Sequence, residues 1–200
     1  MKKIAVFASG SGSNFQAIVN AVQSSELAAE ISLLVCDKPG AQVIERAEKA
    51  GISSFVFQAK AYASKEAFEQ EIVFKLKSQN VDFVVLAGYM RLIGPTLLNE
   101  YEGRIVNIHP SLLPEFPGKD AIGQALAAGV KETGVTIHFV DEGMDTGPII
   151  AQKQVDINEN ETLESLQAKI HAVEHQLYPA ILQKLLTQGG VTYGKKESIN

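Results

Sequence analysis

Ile4-Ala5-Val6-Phe7-Ala8, followed by Ser9-Gly10-Ser11-Gly12-Ser13-Asn14, decides the fold. A run of apolar residues with no polar alternation marks a strand buried on both faces, the condition of a parallel sheet with helices above and below. A glycine-serine turn ends the run, and Phe15, Ile18, Val19 and Val22 then recur at helical spacing. The opening unit is therefore strand, tight turn, helix.

The unit repeats along the chain. Ile31 to Cys36 is a second apolar run, and Asp37-Lys38-Pro39-Gly40 is a turn cluster before a helical stripe of Val43, Ile44, Ala47 and Ala50 that Gly51 closes as a left-handed cap. Ser53 to Gln58 reads as a weaker strand. Ser64 is the expected N-cap of a helix burying Phe68, Ile72 and Leu76. Val81 to Ala87 is the strongest strand, Ile105 to Ile108 another, and Asp120 to Ala128 a short helix closed by Gly129. From Thr133 the pattern changes: Val135 to Val140 and Ile149 to Val155 are strands joined too closely for a crossover helix, which predicts an antiparallel pair. Leu163, Leu166, Ile170, Val173 and Leu177 then form one long amphipathic helix that Pro179 kinks or restarts. The expectation is a single α/β domain over 1–200: a doubly wound, mostly parallel sheet with helices on both faces and an antiparallel strand pair in the C-terminal half. Residues 1–100 would form a phosphate-binding half, 101–188 a catalytic half, and 189–200 a polar tail. Ligands of such sheets sit beyond the C-terminal strand ends.

Composition narrows the function classes. With 200 residues, about 70% of the unfolded chain's surface can be buried, so a full core needs no staple. A formal charge of −5 argues against a nucleic-acid or anionic-membrane binder and towards small ligands. The single cysteine, Cys36, excludes an internal disulfide and reads as a small core residue. The apolar run after Met1-Lys2-Lys3 is too short for a signal peptide or a membrane span, which points to the cytoplasm.

Four stretches offer chemistry. In 9–14, glycines let backbone N–H groups approach an anion, and the helix start adds unpaired N–H donors, so the turn suits a phosphate. It lacks the Gly-Lys-Ser/Thr of a Walker loop, and Phe15 stands where a dinucleotide fingerprint has its third glycine. The plain alternative is a tight turn with Ser13 or Asn14 capping the helix. Asn107 and His109 lie two apart on a strand and share a face at its C-terminal end. There an imidazole can carry a proton and an amide can hold an oxyanion. Asp145, in the 141–148 loop, would order or charge His109 if that loop folds back, whereas Asp141 and Glu142 are ordinary turn carboxylates on residue type alone. His171-Ala172-Val173-Glu174-His175 matches the H-x-x-E-H zinc pattern, but no supporting ligand stands out, so no metal site is assigned. His138 is read as structural. Met90-Arg91-Leu92-Ile93, after the strongest strand, offers backbone groups and apolar surface for a flat ring.

In this order and spacing, SGSGSN, AGYMRLIGP, VNIHPSLLPEFPG and DEGMDTGPII resemble the folate-dependent formyltransferases, in their phosphoribosylglycinamide branch, over nearly the whole chain. The resemblance implies the formyltransferase fold and formyl transfer from 10-formyltetrahydrofolate to the amine of 5-phosphoribosylglycinamide in purine biosynthesis. It implies a catalytic set of Asn107, His109 and Asp145. Gly12, Ser13, Asn14 and Glu174 would bind the ribonucleotide. Lys65, Met90, Arg91, Leu92, Ile93, Asn107, Asp141, Glu142, Gly143, Met144 and Asp145 would bind the folate, with Lys65 a point cation where some members carry a planar arginine. Both partners are small molecules, with no nucleic acid, membrane or metal, and the chain would be a monomer or homodimer. Two alternatives stand beside this: a formyltetrahydrofolate deformylase using the same three residues, and a non-catalytic nucleotide-binding module in which Asp37 holds a ribose. Lys119 to Ile122 receives no role.

Overall fold

In the computed structural model, which describes residues 1–187, β1 (Lys2–Ala8) is an interior strand of a seven-stranded sheet. The others are β2 (Ala29–Cys36), β3 (Ser54–Val56), β4 (Phe83–Leu86), β5 (Ile105–His109), β6 (Glu132–Phe139) and β7 (Ile149–Asp156), in the order β3-β2-β1-β4-β5-β6-β7. The helices are α1 (Ser13–Gln23), α2 (Gln42–Lys49), α3 (Lys65–Ser78), α4 (Pro95–Glu100), α5 (Ala121–Ala128) and α6 (Leu163–Thr187). Strand β1 is buried from Ile4 to Ala8, as its unbroken apolar run predicts, and pairs in parallel with both β2 and β4. One apolar layer joins Phe15, Ile18, Val43, Ala47, Leu166 and Tyr178 to one face of the sheet, and a second joins Phe68, Ile72, Leu76 and Leu97 to the other. Helices thus cover both faces, and each fully buried Ile, Leu or Phe contributes about 1.5–3 kcal/mol.

The predicted antiparallel pair is β6 with β7, and β6 is antiparallel to its other neighbour as well. Only β6 runs against the sheet, antiparallel to both β5 and β7, so β7 is parallel to β5. The consequence is functional, because β6 brings His138 directly opposite Asn107. Pro179 lies inside a helix that continues through it rather than restarting. One turn of α6 is fixed to the sheet by Tyr178, whose buried hydroxyl donates to the Leu86 carbonyl at 2.8 Å. This places Glu174, one turn earlier, over the strand ends. Ser64 caps α3 by accepting from Ala67 N–H at 3.1 Å, as expected. The short α4 and a 3₁₀ turn at Ala59–Ala61 were not legible, because neither has an apolar period. The polar tail at 189–200 lies outside the described residues. No helix among the described residues is long and apolar enough to cross a membrane.

Candidate active site

A cavity of about 580 Å³ opens at the C-terminal ends of β1, β4 and β5. Its lining comes from 10–14, 86–93, 107–110, 118–122 and 143–145, with His138, Val140, Gln167, His171 and Glu174.

The turn at 9–14 forms one wall. Gly12 has φ +74°, and a Cβ there would lie 2.5 Å from Val43 Cγ2, so both backbone shape and space demand glycine. Neither Ser13 nor Asn14 caps α1: Gly12 stands at the N-cap with no side-chain bond, which corrects the plain capping reading. The first N–H groups of α1 carry no side-chain acceptor, the arrangement that receives an anion. Behind the turn, Arg46 Nε donates to the Ser11 carbonyl at 2.8 Å. Asn14 Nδ2 donates to Glu174 Oε2 at 3.1 Å, and Asn14 Oδ1 is buried without a partner. Burial pushes the Glu174 carboxyl up to about 7, against the opposing pull of the Asn14 hydrogen bond. This acid therefore titrates near neutral pH.

The opposite wall is the β5–β6 pair and the loop after β6. His109 Nε2 lies 2.8 Å from the Phe116 carbonyl, which accepts only, so Nε2 carries a proton. Its Nδ1 faces Asp145 Oδ2 at 3.4 Å. With Nε2 committed to a carbonyl, Nδ1 is the ring nitrogen that meets the Asp145 carboxylate. By the same reasoning His138 Nδ1 donates to the Phe139 carbonyl at 2.7 Å, and its Nε2 stands 3.6 Å from Asp145 Oδ1 and within hydrogen-bond distance, 3.2 Å, of Asn107 Nδ2. The latter contact sets the orientation of the Asn107 amide and leaves its second N–H free. Asp145, at φ +57°, also accepts from Gly118 N–H at 2.8 Å. Burial raises its carboxyl, yet His138, Gly118 N–H and the nearby His109 outweigh this and hold it below the usual carboxylate range. The loop can fold back because Gly147 packs against the Phe139 carbonyl, which a Cβ would strike at 1.8 Å.

Of the residues singled out by sequence, Gly12, Ser13, Asn14, Met90, Arg91, Leu92, Ile93, Asn107, His109, Gly143, Met144, Asp145 and Glu174 line this one cavity. Lys65, Asp141 and Glu142 do not. Lys65 is an exposed first residue of α3 beside Gly94, and Glu142 is exposed. Asp141 is spent on its own loop, accepting from Gly143 N–H at 3.0 Å and Thr146 Oγ1 at 2.7 Å. Asp37, offered for a ribose, is committed to Ser9 and Arg91, which removes that alternative role. His138 is the clearest omission of the sequence reading: alternation alone leaves its face open, and only its pairing opposite Asn107 reveals it. Gly118 and Lys119 to Ile122, given no role, line the cavity. Within H-x-x-E-H, Glu174 binds Asn14, and no group of three or more metal-ligating side chains occurs among the described residues.

Residues 2–182 match the formyl transferase family. The chain is 59% identical over 186 residues to the phosphoribosylglycinamide formyltransferase of Bacillus subtilis (strain 168), covering 93% of this chain and 95% of that one. It is 45% identical over 187 residues to the trifunctional purine biosynthetic protein adenosine-3 of Drosophila melanogaster, covering 92% of this chain but only 14% of that much longer one. Among solved structures, the phosphoribosylglycinamide formyltransferase of Bacillus halodurans superposes with a TM-score of 0.92 at 60% identity, over 97% of this chain and 100% of that one. Glycinamide ribonucleotide transformylase 1 of Geobacillus kaustophilus does so with 0.91 at 64% identity, over 93% and 99%. Both the near-full-length match and the shared architecture lead to one statement: the chain belongs to the formyl transferase family.

Proposed function

We propose that this protein transfers the formyl group of 10-formyltetrahydrofolate to the amine of 5-phosphoribosylglycinamide, in the cytoplasm. The observation that carries the reading is the single cavity that joins an anion-receiving turn, the Asn107, His109 and Asp145 group, and the 88–93 loop. The phosphate end of the ribonucleotide rests on Gly12, Ser13 and the first N–H groups of α1, and Glu174 receives its polar groups. The flat ring of the donor lies against Met90 to Ile93 and the Gly143 to Asp145 segment. Holding both reactants in one cleft supplies the proximity that a two-substrate transfer needs.

The neutral amine attacks the formyl carbon, and the carbonyl oxygen takes up negative charge. The free N–H of Asn107 and the Nδ1 proton of His109 stabilise that oxyanion, while Asp145 stabilises the charged ring. As the tetrahedral intermediate collapses, the bond from carbon to N10 breaks. The proton lost by the attacking nitrogen reaches N10 through a water ordered at Asp145. Loss of donor absorbance, followed with and without the ribonucleotide, tests the reading. Loss that requires the ribonucleotide supports transfer; equal loss without it means hydrolysis.

A further inference from the structure

The chemistry described above leaves Asp37 unused, although its side chain is only 2% exposed. Burying a carboxylate is expensive, so its partners carry information. Strands β2 and β4 flank β1, and the loops that follow all three converge at the C-terminal edge of the sheet. There Asp37 Oδ1 accepts from the Ser9 hydroxyl at 2.5 Å, and Oδ2 accepts from Arg91 Nε at 2.8 Å. An ionised carboxylate has no proton to give, so the Ser9 O–H must point at it. The Ser9 oxygen is thereby left as an acceptor, and Met90 N–H donates to it at 2.9 Å. Ser9 N–H in turn donates to the Gly88 carbonyl at 3.0 Å. Arg91 also lies over the Phe68 ring, 5.7 Å from its centroid. Gly88 and Met90 are thus tied to Ser9, the first residue of the phosphate turn, and one buried acid both orients the Ser9 hydroxyl and holds Arg91.

We propose that Asp37 is a positioning residue that holds the 88–93 loop in the shape that receives the ring of the formyl donor. The proposal rests on the folate reading of that loop. Asp37 touches neither reactant and acts through Ser9 and Arg91. Its loss should therefore weaken donor binding and spare the chemical step. The ribonucleotide side should be less affected, because Arg46 separately holds the Ser11 carbonyl.

Asp37→Asn keeps the volume and one acceptor oxygen but turns an N–H2 group against one of two donors. Steady-state transfer should show KM for 10-formyltetrahydrofolate raised about 10-fold or more, the range for losing a hydrogen bond to a charged group. Both kcat and KM for 5-phosphoribosylglycinamide should stay within about 3-fold. Calorimetry with tetrahydrofolate, which cannot transfer, should show the same loss of affinity. Ser9→Ala removes only the relaying oxygen and should raise the donor KM by about 3-fold; it carries the test alone if circular dichroism shows Asp37→Asn unfolded. A lowered melting temperature with unchanged donor KM would mean a purely structural role and would overturn the proposal. So would a fall confined to kcat. Absence of transfer by the unaltered protein is a different failure: it overturns the functional reading and this proposal with it.

Discussion

Replacing Glu174 by Gln should remove a pH-dependent penalty from the folded state. Glu174 is 4% exposed, and burial lifts its carboxyl from 4.5 to about 7. Below about pH 4.5 both the folded and unfolded chains hold the proton at this site, so the group adds no slope. Between about pH 4.5 and 7 the folded chain keeps a proton that the unfolded chain releases, and stability falls as pH rises. Above about pH 7 both are ionised and the penalty is complete. A gap of about 2.5 pH units, at about 1.36 kcal/mol each, comes to about 3 kcal/mol. Glutamine retains an acceptor for Asn14 but does not titrate. Urea denaturation of both proteins at steps from about pH 4 to 8 reads the difference directly, because other titrating groups are common to both. The variant should match the wild type near pH 4 and exceed it by up to about 3 kcal/mol near pH 8. Parallel curves across that range would refute the burial argument. The same substitution should weaken ribonucleotide binding above about pH 7, where the wild type presents a carboxylate.

Three further outcomes follow from named contacts. His109→Ala should fold and bind the ribonucleotide yet lose about 100- to 10,000-fold in kcat, read by donor absorbance. Asp145→Asn should lower kcat over the same range. Because the Asp145 carboxyl is held low, it stabilises the fold above the ordinary carboxylate range and loses that contribution as pH falls through its own value, so acid melts should show a shallower decline in the variant. Gly12→Ala puts a Cβ 2.5 Å from Val43 Cγ2 at φ +74°. It should cost about 1–3 kcal/mol in a thermal melt and abolish measurable ribonucleotide affinity by calorimetry.

The parts of the molecule that could be read from the chain are those whose physics is local. The apolar run at Ile4 to Ala8 needs no partner to declare a doubly covered strand, and the turn after it announces its glycines. Asn107 and His109 share a strand face by simple alternation, and Ser64 is an N-cap by residue type. What escaped depends on which strand lies beside which. His138 enters the site because β6 runs against β5, and Asp37 is consumed by Ser9 and Arg91 because β2 and β4 border the same strand. Asp141 and Asp145 stand four residues apart in one acidic loop, yet one closes a turn while the other reaches two histidines. Residue type cannot separate them, since the backbone path decides which carboxylate faces inward.

The central claim is that a formyl carbon moves from the folate to the ribonucleotide amine in the cavity containing Asn107, His109 and Asp145. The most direct measurement uses 10-formyltetrahydrofolate labelled with ¹³C at the formyl carbon and follows the label by NMR with wild type and His109→Ala. The expected result is a labelled formamide on the ribonucleotide with the wild type and almost none with the variant. Label recovered as free formate, or an unchanged yield from His109→Ala, would contradict the claim.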